Sequence, residues 1–251
     1  MRATLLGSGG WLPTDRRETA CLLLRDGGHA LVLDAGTGLR RLVTDPSLLD
    51  GVERLSVVLT HFHLDHVCGL AAAPALSERD VEIRAPARLL GHGSARSLVE
   101  RLLGPPFLAG TSERLRSWLP DVRELEATQS IGPFEVATRV QPQHPGSSVA
   151  IRVGNMLALC TDTAYDAGNV PFASGVRVLL HEAFHRGEQT DDPTHAAAGE
   201  AARVAAAAEA EQLVLVHVKP TETDDGALLD AARAIFPPSL VATDGLELAV
   251  G

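Results

Sequence analysis

The stretch Thr60-His61-Phe62-His63-Leu64-Asp65-His66 sets three histidines and an aspartate within six residues. It follows Leu55-Ser56-Val57-Val58-Leu59, an apolar, β-branched run that reads as a buried strand. The potential ligands therefore lie on the loop leaving the C-terminal end of a strand, where α/β folds gather their chemistry. Imidazole suits zinc and similar divalent ions, and a carboxylate adds the charge such an ion needs. His61 and His63 are two apart, so on extended backbone they point the same way. Asp65 and His66 begin the next turn and can address a second position beside the first. A neutral loop would favour Gly, Asn and Ser instead.

Working outward, the 251 residues suit one large α/β domain, taken here as residues 1–251, and 45% hydrophobic residues suffice for a sizeable core. No run of about 18 apolar residues marks a membrane span. The start, Met1-Arg2-Ala3-Thr4-Leu5-Leu6-Gly7, enters a strand directly and lacks the apolar core of a signal peptide. Cys21, Cys68 and Cys160 are odd in number and form no CxxC pair, which fits reduced thiols in a cytoplasm. Cys68 and Cys160, near the proposed ligands in sequence, are read as small core residues. The net charge of −10 and a single lysine, Lys219, disfavour a large polyanion as partner, because nucleic-acid binders draw their affinity from Lys and Arg on phosphate.

Strands are expected at 2–6, 20–25 and 29–34. Gly7-Ser8-Gly9-Gly10-Trp11-Leu12-Pro13 between the first two is a flexible turn. It lacks the Gly-Lys-Ser/Thr ending of a phosphate loop. Asp34 reads equally as an N-cap for a helix through Leu39 to Val43. A short helix over 69–77 and a strand at 81–83 follow, then a helical or irregular stretch over 86–118 broken at Gly104-Pro105-Pro106-Phe107. His92 between glycines is a loop residue. Phe107 is read as core, with a cleft-mouth role beside Trp118 as the alternative. Further strands are expected near 131–140, 148–153, 156–161 and 176–180, and helices at 195–210 and 225–234. His29 reads as a turn residue and His185 as surface or cleft rim.

Read as His-x-His-x-Asp-His, the opening stretch resembles the signature of the metallo-β-lactamase superfamily, and that family's later motifs follow in order. His144 stands in Gln143-His144-Pro145-Gly146-Ser147, Asp162 in Cys160-Thr161-Asp162-Thr163, and His217 ends the strand Leu213 to Val216. The resemblance implies the four-layer αβ/βα sandwich, with ligands at one rim. Two blocks of strands, each followed by helices, agree with two facing sheets under outer helices. It implies a first metal on His61, His63 and His144, a second on Asp65, His66 and His217, and Asp162 bridging both. It also implies a second-sphere role for Asp34. Two divalent ions, zinc by default with manganese or iron on the same donors, would place a shared hydroxide for attack. Taken singly, His144 could be a plain turn residue, Asp162 a turn cap and His217 a strand-end histidine.

A further pair resembles the ribonuclease Z-like branch. His181-Glu182-Ala183 follows a strand, and Thr194-His195 opens the alanine-rich helix. Carried over, His195 protonates the leaving oxygen and Glu182 orients it, while Asp65 binds metal and orients the nucleophilic water. Without that role Glu182 is a solvated strand end and His195 a first-turn helix residue. Ala183-Phe184 and Ala196-Ala197 depart from that branch's Ala-Thr and Ser-Thr. Its bacterial members insert a long tRNA-gripping arm between the third-motif histidine and the bridging aspartate. Here only residues 145–161 stand between His144 and Asp162, which leaves room for two strands and a turn.

The expected function is therefore that of a dinuclear metal-dependent phosphodiesterase acting on a small phosphodiester or an RNA end. Ester or sulfate-ester hydrolysis on the same scaffold is the alternative, and a metal-binding regulatory protein is the non-enzymatic one. Nucleic acid is a disfavoured partner, no membrane is expected, and the resemblance allows a homodimer.

Overall fold

The computed structural model describes residues 1–108 and 120–251. Fourteen strands form two seven-stranded sheets among the described residues. The first contains β1 (Arg2–Gly7), β2 (Cys21–Asp26), β3 (His29–Leu33), β4 (Arg54–Val58), β5 (Asp80–Ala85), β6 (Asp121–Glu124) and β14 (Glu247–Ala249), in the order β14-β1-β2-β3-β4-β5-β6. The second contains β7 (Thr128–Ile131), β8 (Phe134–Gln141), β9 (Ser148–Val153), β10 (Leu157–Cys160), β11 (Val178–Glu182), β12 (Gln212–Val216) and β13 (Ser239–Val241), in the order β13-β12-β11-β10-β9-β8-β7. Each sheet is parallel in one half and antiparallel in the other: β3 through β6 run parallel, as do β10 through β13. Parallel strands direct their C-terminal ends to one rim, and both parallel halves deliver theirs to the same rim.

Strand periodicity builds the layers. Along β3, Leu31 and Leu33 join the core between the sheets, where they meet Ile151, Leu159 and Leu180 of the second sheet. Ala30 and Val32 point the other way, into a second core with Leu39, Leu42, Val99 and Leu103. A third core lies outside the second sheet, under α3 (Ala198–Ala207) and α4 (Asp225–Arg233). There Ala198, Ala201, Ala202 and Ala205 let α3 lie close on Leu179 and Leu213. Two further helices are α1 (Leu64–Val67) and α2 (Ala95–Leu103). The fold is the expected four-layer αβ/βα sandwich.

Several local expectations change. The strand read over 131–140 is β8, and its hairpin partner across Gly132 (φ +55°), β7, lies ahead of that reading. β6 was not anticipated. α3 starts at Ala198 with Ala197 as N-cap, so His195 stands in the loop before it rather than in its first turn. His29 is a buried residue of β3 whose ring pairs with the Ser56 hydroxyl at 2.8 Å, not a turn residue. Phe107 is 77% exposed and so no part of the core. Trp118, read beside it, lies outside the described residues. Cys21 and Cys160 are buried and Cys68 is half-buried, all unbridged. Burial pushes the Cys160 thiol up to about 12, as suits a core residue.

Candidate metal centre

Five strand ends supply the site. Asp34 follows β3, the loop Thr60–His63 leads from β4 to α1, Asp162 stands two residues past β10, Glu182 ends β11 and His217 follows β12. Asp34, Asp162 and His217 all have left-handed backbone, with φ of +60°, +53° and +52°. Non-glycine residues rarely adopt that conformation, and it recurs at sites where a side chain must be aimed. Here it aims Asp162 and His217 into the cleft and Asp34 at the outer nitrogen of His66.

The seven residues proposed as ligands come together in two groups. His61, His63, His144 and Asp162 offer donor atoms within 4.8 Å of one another, and so do Asp65, His66 and His217. Asp162 joins the groups through different oxygens. Its Oδ1 lies 3.5 Å from His144 Nε2 and 3.9 Å from His61 Nε2. Its Oδ2 lies 3.0 Å from His66 Nε2 and 3.4 Å from His217 Nε2. Asp65 Oδ2 stands 3.4 Å from His66 Nε2 and 3.3 Å from His217 Nε2.

Partners outside the cleft set the tautomers. His66 Nδ1–H donates to Asp34 Oδ2 at 2.8 Å, and His61 Nδ1–H donates to the Thr60 hydroxyl at 3.0 Å. That hydroxyl in turn donates to Asp34, which also accepts the Thr60 backbone N–H at 2.7 Å. Asp34 thus supports the ligand loop, and it does not cap the Thr37–Arg40 turn, where Gly36 stands at the N-cap. With Nδ1 committed, Nε2 of His61 and of His66 points inward without any hydrogen-bond partner. Nε2 of His144 and Nδ1 of His63 stand 3.0 Å apart. Buried imidazole nitrogens converging on one another around carboxylates are what divalent cations stabilise, and the donor set fits such ions. The charges agree. Against the cost of burial, the His217 and His66 rings hold the Asp162 carboxyl well below the usual range. Burial, aided by the neighbouring His66 charge, pushes His61 well down.

Glu182 is fully buried rather than solvated. Its Oε2 accepts from His195 Nδ1 at 2.8 Å and lies 3.5 Å from His217 Nδ1, while Oε1 accepts the Thr163 backbone N–H. Burial lowers the His195 pKa, but the Glu182 hydrogen bond and charge outweigh it and leave it raised. The His195 ring stacks on Phe184 at 4.3 Å between centroids and lies 4.9 Å from His144. His92 stays outside the ligand groups, its Nε2 against the Gly146 carbonyl at 3.3 Å. His185 pairs with Asp192 at 2.8 Å at the rim.

Two site features have no mark in the ligand motifs. The Trp11 backbone N–H donates to Asp65 Oδ2 at 2.7 Å, so the glycine-rich turn after β1 orients one of the candidate ligands. A Cβ on Gly10 would fall 2.3 Å from the His217 ring, so only glycine lets that turn pass the ligand. The recurring glycines were the only visible signal. Gly10→Ala is expected to displace His217 and lower metal affinity by roughly 10–100-fold, the scale for disturbing a ligand's supports. Competition with a chromogenic chelator measures this, and wild-type affinity in the variant would contradict it.

Above the ligands opens a cleft of about 360 Å³ whose walls include Trp11, Phe184, Thr194, His195 and Lys219. Sequence comparison matches residues 29–218 to a beta-lactamase superfamily domain. A ribonuclease Z of Haloferax volcanii is 27% identical, the alignment covering all of this chain and 95% of that protein. Among solved structures, the metallo-beta-lactamase fold protein YhfI of Bacillus subtilis is similar with a TM-score of 0.78 at 19% identity, covering 98% of each chain. The short form of human tRNase Z gives 0.72 at 19% identity over the whole of both chains.

Proposed function

The chain belongs to the beta-lactamase superfamily, and from that membership we propose that it is a dinuclear metal-dependent phosphodiesterase. The observation that carries this reading is Asp162, whose two oxygens face two separate histidine groups at 3.0–3.9 Å. His61, His63 and His144 would hold one ion and Asp65, His66 and His217 the other, with zinc the first choice for such donors and manganese or iron alternatives. When bound, such ions supply water acidified to near neutral pH and offset the charge that builds on phosphoryl oxygens.

The chain's own groups do the rest. Asp65 keeps Oδ2 on Trp11, while its Oδ1 has no hydrogen-bond partner among the described residues and can accept a proton from the attacking water, orienting the lone pair toward phosphorus. As the new P–O bond forms and the old one breaks, the leaving alkoxide needs a proton. His195, with Nδ1–H held on Glu182, presents Nε2–H to it. The imidazolium charge on His195 is stabilised by Glu182. The proton given up by His195 leaves on the departing alcohol; between turnovers Asp65 releases the attacking water's proton to solvent and His195 takes one back. An alkoxide leaving group uses His195 fully, whereas a β-lactam or thioester has less need of it.

Two observations bear on substrate size. The ribonuclease Z relatives support an RNA end as substrate, since they align along the whole chain. The alignment nevertheless runs to 303 positions against 251 residues here, so the relative carries segments without counterpart. Between His144 and Asp162 the structure holds only β9, the Gly154 turn and β10, with no arm. The arginine pairs that could grip phosphate are tied to carboxylates: Arg16 and Arg17 to Asp225, Arg40 to Glu18. We therefore favour a small phosphodiester. Among the described residues no helix is long and apolar enough to cross a membrane.

The test is a panel on the metal-loaded protein. A bis-aryl phosphodiester is expected to be turned over well above an aryl sulfate, a thioester or a β-lactam. Precursor tRNA is expected to give a lower kcat/KM than the small diester at fixed salt, because remote binding energy is missing. Faster turnover of the sulfate ester, or efficient removal of a tRNA 3′ trailer, would contradict the reading.

A further inference from the structure

Lys219 is the single lysine of the chain, and it stands in the wall of the metal cleft. It lies two residues beyond His217, in the loop that leaves β12. Its Nζ sits 5.2 Å from the centroid of the Phe184 ring, and the same ring stacks at 4.3 Å on His195. The ammonium is therefore no farther from His195 than those two spacings together.

No carboxylate among the described residues lies within ion-pair distance of Lys219, although acidic residues outnumber basic ones in the chain. The nearest acidic residue in sequence, Glu222, is taken by Arg186, which donates to both of its oxygens. Of the described residues that line the cleft, Lys219 is the only lysine or arginine. A cation over an aromatic face is held in place while its remaining N–H groups stay available. Phe184 is also a point where the chain departs from the motif of the branch it resembles, in which a threonine follows the alanine. The exchange supplies the ring that joins the proton donor to the ammonium.

We propose that Lys219, seated on Phe184, is the recognition site for a second anionic group of the substrate, carried on the leaving-group side of the scissile phosphodiester. The side follows from the stack. His195 addresses the leaving oxygen, and Lys219 shares a ring with His195, so the group it reaches is attached to the departing alcohol. The substrate class is then a phosphodiester whose leaving alcohol bears a further phosphate, as in a 5′-phosphorylated nucleotide leaving through its 3′-oxygen. This inference rests on the phosphodiesterase reading above.

Three thymidine dinucleotides test it: pTpT carries the extra phosphate on the 3′-oxygen leaving side, TpTp carries it on the other side, and TpT has none. The metal-loaded wild type is expected to cut pTpT with the lowest KM of the three, giving two molecules of thymidine 5′-phosphate. Lys219→Met is expected to abolish that preference, raising the ratio of the pTpT to the TpT KM by roughly ten- to a hundredfold, the scale for a lost hydrogen bond to a charged group. Lys219→Arg is expected to restore most of it. Titration calorimetry gives a readout without turnover: thymidine 3′,5′-bisphosphate should bind the wild type more tightly than thymidine 3′-phosphate, which lacks only the 5′-phosphate assigned to Lys219, and the difference should vanish in Lys219→Met. Equal KM values for pTpT and TpT in the wild type, a preference for TpTp, or a preference that survives Lys219→Met would each overturn the proposal. So would turnover of a bis-aryl phosphodiester without any cleavage of the dinucleotides. A loaded protein that fails on the bis-aryl diester itself refutes the phosphodiesterase reading first.

Discussion

Asp65→Asn is expected to lower kcat on an aryl phosphodiester by roughly 10²–10⁴, the range for losing a positioned acid–base group. The substitution keeps the shape of the side chain. The Trp11 backbone N–H, now 2.7 Å from Oδ2, can still find an amide oxygen. What is lost is the anion between His66 and His217, at 3.4 and 3.3 Å, and the acceptor for the water's proton. In the folded protein that carboxyl is held below its ordinary range. Burial opposes ionisation, and the hydrogen bond from His217 with the neighbouring His66 ring overcomes it. Asparagine cannot supply this charge at any pH, so a more alkaline buffer should not rescue the variant. Near-normal turnover with full metal occupancy would refute the role.

His195→Ala is expected to divide substrates by leaving group. For an alkyl phosphodiester the loss should reach roughly 10²–10⁴, because the alkoxide departs without its proton donor. For a bis-aryl diester the loss should be far smaller, since a phenolate of low basicity leaves unprotonated. The geometry behind this is the 2.8 Å pair between His195 Nδ1 and Glu182 Oε2. That bond leaves Nε2 as the only ring nitrogen free for substrate. Glu182→Gln should show the same division in weaker form, because glutamine can hold the ring but cannot stabilise its charge. Kinetics on one alkyl and one aryl diester decide it, and equal losses on both would remove the proton-donor assignment.

The candidate site was legible because its chemistry is dense in sequence. His61, His63, Asp65 and His66 lie within one loop, and no packing role explains so many imidazoles together. The distant members, His144, Asp162, Glu182 and His217, were legible through the resemblance, whose later motifs follow in order; in the fold Asp162, Glu182 and His217 stand at the ends of parallel strands and His144 in the turn between the antiparallel β8 and β9. Contacts formed by folding alone were not. Nothing near Gly10 says that its missing Cβ makes room for His217, or that the next N–H reaches Asp65, 54 residues away. Asp34 was ambiguous for the same reason: an acidic residue between a strand and a helix suits a cap, and only the fold brings Thr60 and His66 to it. His29 was misread because a strand-edge histidine looks solvated until the facing Ser56 and Phe134 bury it. β7 went unread because Thr128-Gln129-Ser130 is polar and shows no apolar alternation before Ile131. Phe107 was assigned to the core by its apolarity, a property that says which residues can be buried and not which are.

The most direct measurement of the central claim, a dinuclear centre bridged by Asp162, is metal stoichiometry read beside activity. Chelator-treated protein is titrated with a divalent ion, and bound metal is counted by elemental analysis while hydrolysis of a bis-aryl phosphodiester is followed. The expected result is a plateau at two ions per chain, with hydrolysis rising as the second is filled, and His66→Ala stopping near one ion with little activity. A wild-type plateau at one ion, unchanged by His66→Ala, would contradict it.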